Sequence, residues 1–170
     1  MHRRNIITAF ALAARGIVLA PIGAVAQQKS LKEQLVGTWT LVSAESQNPD
    51  GTKGPLVKGA NVKGLQVFTD GGKVSFQVIG EHAKIASNDR TKMTPDEMKA
   101  MAESVLSYFG SYTVNEADKS YTMQIESSSF QNQTAAPAKR MVALAGDEMT
   151  VTNPGRLAGG QTLIVWRRAK

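Results

Sequence analysis

The sequence predicts an all-β fold: a single eight-stranded antiparallel up-and-down barrel with one short α-helix between strands. Three observations predict it. Stretches rich in β-branched and aromatic residues recur with period two. Tight turn signals separate these stretches at short intervals. One segment only combines helical spacing with a capping signature.

Residues 1–26 stand apart from that pattern. Met1-His2-Arg3-Arg4 is a basic start, Ile6 to Val25 is apolar, and Ala24-Val25-Ala26 is a small-x-small site cut before Gln27. That is the layout of a cleaved signal peptide. The rival reading is a transmembrane anchor, but Arg15 near its middle costs about 2.5–3.5 kcal/mol on insertion scales, and Pro21 and Gly23 weaken it further. Arg3-Arg4 also fits a twin-arginine signal, so the export route stays open. The expectation is a periplasmic or secreted protein with its domain over 27–170 and no stable membrane anchor after cleavage.

Export changes the charge argument. The 170-residue chain is 42% hydrophobic and 20% charged, with a net charge of +6. Three of its 20 basic residues (Arg3, Arg4 and Arg15) leave with the leader, so 17 remain against 14 acidic ones. A scattered balance of +3 is a solvated surface and excludes nucleic acid as the expected partner. The chain has no cysteine, which rules out a disulfide staple, a thiol nucleophile and a zinc–thiolate site. The core has to hold the fold alone, and the length suffices for that.

The elements follow in order. Residues 29–35 read as a short helical turn, and Val36 to Ser43 as the first strand. Asn48-Pro49-Asp50-Gly51 is a turn, and residues 53–62, with two glycines and a proline, read as a loop. Residues 63–69 and 73–79 alternate around Asp70-Gly71-Gly72, a hairpin with Val74, Phe76 and Val78 on one face and Ser75 and Gln77 on the other. Thr94-Pro95-Asp96-Glu97 opens a helix with an N-cap threonine, proline in the first turn and a glutamate closing a capping box. Met98, Met101, Ala102, Val105 and Leu106 form its apolar stripe, read as packing against the sheet. Strands resume over 109–114, 120–126, 139–144, 148–152 and 161–168. Closing such a meander removes exposed strand edges. Eight strands leave an interior wide enough for side chains or one small ligand.

Several motifs, in order along nearly the whole domain, carry a resemblance. They are Leu35-Val36-Gly37-Thr38-Trp39, residues 63–72, Asn88-Asp89-Arg90, Thr94-Pro95-Asp96-Glu97, residues 108–114 and Val165-Trp166-Arg167-Arg168. The set resembles the bacterial and fungal lipocalin-like domain family. Gly37-x-Trp39 is similar to the true lipocalin signature, in which a tryptophan plugs one barrel end beneath an arginine of the last strand. The resemblance therefore implies a structural role for Gly37, Trp39, Trp166 and Arg168, with Arg168 preferred over Arg167 as the cation on the indole. The sequence departs from the family where Gln124 stands in place of a histidine and Gln131 in place of a proline. The first departure removes the best acid–base candidate from that strand.

No catalytic group emerges from spacing. His82, the one histidine outside 1–26, supplies none of the spacings a metal site needs. Ser127-Ser128-Ser129 lacks a nucleophile elbow and an orienting base. Asp89 and Glu126 form a conceivable carboxylate pair across the barrel mouth, although no spacing requires it. What remains is a pocket. Phe76, Tyr112, Tyr121, Met123 and Met141 are candidate apolar contacts, with Gln77, Gln124 and Arg140 as polar anchors, and strand alternation forbids all of them facing inward at once. The leading expectation is a cofactor-free barrel that binds a small hydrophobic or amphipathic molecule. The alternatives are an isomerase, cyclase or hydrolase acting inside the barrel, and a ligand-free structural or interaction barrel filled by its own side chains. Oligomeric state stays open.

Overall fold

The computed structural model describes residues 29–134, 136–156 and 158–170. The leader expected over 1–26 lies outside them. Helix α1 (Leu31–Leu35) precedes β1 (Gly37–Gln47), β2 (Lys53–Pro55), β3 (Ala60–Phe68) and β4 (Lys73–Glu81). Helix α2 (Pro95–Ser104) runs directly into β5 (Val105–Asn115), followed by β6 (Ser120–Ser128), β7 (Ala138–Ala145), β8 (Glu148–Asn153) and β9 (Gln161–Arg168). All pairings are antiparallel, and β1 pairs with both β3 and β9, which closes the ring. Eight strands make the closed barrel. The three-residue β2 attaches to the far end of β1, within the segment expected as a loop.

The two ends differ. Short turns at 69–72, 116–119 and 146–147 gather at the end where β1 starts; the longer connections, including α2, gather at the other. Three β-bulges set which residues face inward. At Val42 in β1 an extra residue shifts the inward set from Trp39 and Leu41 to Ala44 and Ser46. At Glu126 in β6 another shifts it from Ile125 to Ser128. The third lies near the start of β3. Gly110 faces the β6 bulge so closely that a Cβ there would run into the Gln124 carbonyl.

The core is the barrel interior. Trp39, Trp166, Phe68, Phe76, Tyr121, Met123 and Met149 are fully buried within it. The hairpin β3–β4 has the expected polarity, with Val74, Phe76 and Val78 buried and Gln77 exposed. Helix α2 corrects the expected stripe. The capping box on Thr94 and Glu97 is present, but the helix ends at Ser104, and Val105 and Leu106 begin β5. Met98 is 50% exposed and Ala102 is exposed, whereas Met101 is half-buried and Leu106 packs against the core from β5, so only part of the stripe meets the barrel. The run Val105-Leu106-Ser107-Tyr108-Phe109 is a better strand than helix, because its β-branched and aromatic residues pair with Ile79 to Ser75 of β4. The helix end is instead tied by Lys58 N donating to Glu103 O at 2.8 Å.

Candidate functional site

One end of the barrel is sealed. Leu31 and Leu35 of α1 are buried, and Trp39 Nε1 donates to Leu35 O at 2.8 Å. Arg168 lies across the Trp39 ring, its Cζ 4.2 Å from the centroid, a cation–π contact. Its Nη1 donates to Val36 O at 3.1 Å and its Nη2 to Gln34 O. Arg167, one residue earlier, points outward toward Glu148. Gly37 is required here twice over: its φ is +127°, and an added methyl would come within 3.0 Å of Arg168 Nη1. Trp166 stands opposite Leu41 and Met149 and packs edge-on to Phe76, 5.6 Å between centroids.

Above this seal the interior is aromatic with a polar belt. A single register row runs Trp39, Gln66, Phe76, Tyr108, Ser128 across five strands. Phe76 and Tyr108 stack in parallel with centroids 4.4 Å apart. A second row sets Val114, Tyr121 and Arg140 side by side on β5, β6 and β7. Gln66 Nε2 reaches across to donate to the Tyr121 hydroxyl at 3.2 Å. Arg140 Nη1 donates to Asn153 Oδ1 at 2.9 Å and to Lys139 O at 3.1 Å. Among the described residues, two buried side-chain atoms have no partner: Gln66 Oε1 and Trp166 Nε1. Burial holds the Tyr108 and Tyr121 phenols well above the ordinary tyrosine range, and the nearby Arg140 charge opposes this. Tyr112, whose hydroxyl donates to Thr69 O at 2.7 Å, is raised by burial too.

Five expected ligand residues, Phe76, Tyr112, Tyr121, Met123 and Arg140, thus share the inner face. Two do not. Gln77 and Gln124 are exposed on the outer face, because they alternate with inward Phe76 and Val78 and with inward Met123 and Ile125. Met141 also faces out. The groups invoked for catalysis inside the barrel do not converge. Glu126 sits on the outer bulge bound to Lys73, Asp89 caps a 3₁₀ turn through Thr91, and Gln124 faces solvent. His82 is exposed, its Nδ1 against Ala83 O. Gln66, Tyr108 and Asn153 were not singled out from sequence. Gln66 and Tyr108 were findable by counting back in twos from Phe68 and Tyr112.

Two clefts open at the end of the barrel away from Trp39. One, of about 380 Å³, is lined by Gln47, Asn48, Pro49, Gly51, Pro154, Gly160 and Gln161. The other, of about 190 Å³, is bordered by Ser46, Thr152 and Leu163, with Gln47 and Gln161 common to both. None of Phe76, Tyr112, Tyr121, Met123 or Arg140 lines either cleft.

A search of curated proteins finds no match to the chain. A family model described as "Lipocalin-like domain" matches residues 36–169, from the residue before β1 to the residue after β9. The closed barrel, the indole seal and a match over most of its length agree: the chain belongs to the lipocalin-like domain family.

Proposed function

We propose that this protein is exported and binds one small hydrophobic or amphipathic molecule in the barrel interior. The observation that carries the reading is the pair of orphaned atoms. Gln66 Oε1 and Trp166 Nε1 are buried among aromatic side chains with no partner among the described residues. Nearly all buried polar groups in folded proteins are paired, and an unpaired one costs about 1–3 kcal/mol. A ligand with one polar end supplies such partners in an otherwise apolar pocket. The clefts near Ser46 and Gln161 lie where β1 ends and β9 begins, at the end of the barrel away from Trp39.

The test is uptake of a neutral apolar fluorophore, N-phenylnaphthylamine, with native mass spectrometry of the freshly purified protein. Saturable uptake at one probe per chain supports the reading, as does a co-purifying small molecule. No uptake and no bound mass would overturn it. They would leave the reading that the close Phe76–Tyr108 stack favours, a barrel filled by its own side chains. Export rests on the layout of residues 1–26, and N-terminal sequencing of the extracytoplasmic protein checks it. A start at Gln27 is expected, and an uncleaved chain retained in the cytoplasm overturns it.

A further inference from the structure

We infer that the polar end of the ligand is a carboxylate, seated on Arg140 with Tyr121 beside it; the inference rests on the interior being the binding site. Arg140 is 7% exposed and is the one charged side chain among the buried residues described. Seven ion pairs occur among the described residues and none includes it. No Asp or Glu among those residues is buried to meet it. A buried charge without a counter-ion is costly, and proteins normally pair such a charge or neutralise it. An arginine cannot shed its proton at ordinary pH, so pairing is its only remedy.

The donors around it are arranged for an anion. Arg140 Nη1 donates to Lys139 O and Asn153 Oδ1, and the Tyr108 hydroxyl lies within hydrogen-bonding reach of the same guanidinium. None of these partners is a carboxylate, the group that a guanidinium fork matches two-to-two. Tyr121 stands opposite Arg140 in the ladder and accepts from Gln66, which leaves its own hydroxyl hydrogen to donate. A half-turn of the Gln66 amide would let Tyr121 donate to the carbonyl and present the NH₂ inward instead. Trp166 adds an unpaired N–H within the same interior. Phe76, Tyr108 and Met123 provide apolar surface for the rest of the molecule. The predicted ligand class is a small carboxylic acid with an apolar body.

The experiment compares decanoate, decanol and decylamine, three heads on one tail, by displacement of bound N-phenylnaphthylamine from the whole exported domain. Decanoate should compete better than decanol by on the order of tenfold, the size of one charge-assisted hydrogen bond, and decylamine should be the weakest. Arg140→Met should erase the preference for the acid over the alcohol, read as the ratio of the two ligands' affinities within the variant, and Arg140→Lys should keep part of it. Equal competition by the three in the native protein would overturn the carboxylate inference and leave the pocket standing. Failure of the probe itself to bind would remove the pocket. The comparison in the native protein needs no variant, so a poorly folding Arg140→Met does not shield the inference.

Discussion

Two arginines of this barrel face its interior, and they are handled in opposite ways. Arg168, at the sealed end, is half-buried, lies on the Trp39 ring and donates to the carbonyls of Val36 and Gln34. Both ends of its guanidinium are occupied by the chain, so it adds rigidity where α1 meets β1 and β9. Arg140, on β7, is more deeply buried, yet its partners, Lys139 O, Asn153 Oδ1 and the Tyr108 phenol, include no carboxylate. A satisfied cation is a structural part. A buried cation with no anion among its partners is a demand for something else. The comparison teaches that burial alone does not separate architecture from function in such a barrel. What separates them is whether the buried charge is met.

The largest effect expected is at the seal. Trp39→Ala removes a fully buried indole and its bond to Leu35 O, and should cost about 3–5 kcal/mol in urea unfolding. An unchanged melting curve would show that the plug carries no stability. Arg168→Met comes next. It strips the cation from the ring and leaves the carbonyls of Gln34 and Val36 without these donors, for about 2 kcal/mol. Binding of a neutral apolar probe should survive this change in the protein that remains folded. If probe binding vanished while stability held, the seal would belong to the site and the division between the two arginines would fail.

The sequence disclosed the division only in part. The Gly37-x-Trp39 motif and the alternation near Arg168 pointed to the seal, and the period of two in β3 and β4 gave the hairpin with Phe76 inward. The inner wall was harder to read because bulges reset the count. At Val42 and at Glu126 one extra residue moves the inward positions from odd to even numbers, and nothing in side-chain type announces it. Gln66 escaped notice because its neighbour on the same face is Gly64, which breaks the hydrophobic pattern that marks a buried face. Gln77 and Gln124 attracted notice as polar groups within strands, but their alternation with Phe76 and Met123 already placed them outside. The end of α2 was obscured because Val105 and Leu106 continue the helical spacing. Only their pairing with β4 decides for strand.

The polar belt has a pH signature. Tyr108 and Tyr121 hold their protons more tightly folded than unfolded, since burial raises both phenols. The stability this confers is complete below the unfolded value of about 10 and drains away as pH rises from there toward the folded values. Each phenol adds up to about 1.4 kcal/mol per pH unit to the decline. Tyr108→Phe should therefore flatten the alkaline limb of a stability–pH curve. A slope unchanged by that substitution would mean that the phenol ionises as freely in the barrel as in water.

The smallest effect on stability is expected at Arg140 itself, and it sharpens the comparison most. Arg140→Met relieves a buried charge that no acidic residue offsets, a change that is often neutral or stabilising. Against this gain it deprives Asn153 Oδ1 and Lys139 O of a donor, at about 1 kcal/mol each. The terms oppose, so unfolding free energy without ligand should shift by less than about 1 kcal/mol. The difference should appear only with decanoate present. At one hundred times its dissociation constant decanoate should stabilise the native protein by about 2.7 kcal/mol, and it should stabilise the variant much less. A ligand-free loss as large as that of Trp39→Ala would instead make Arg140 a second strut, holding β7 to β8 through Asn153, and its buried charge would need no ligand to explain it.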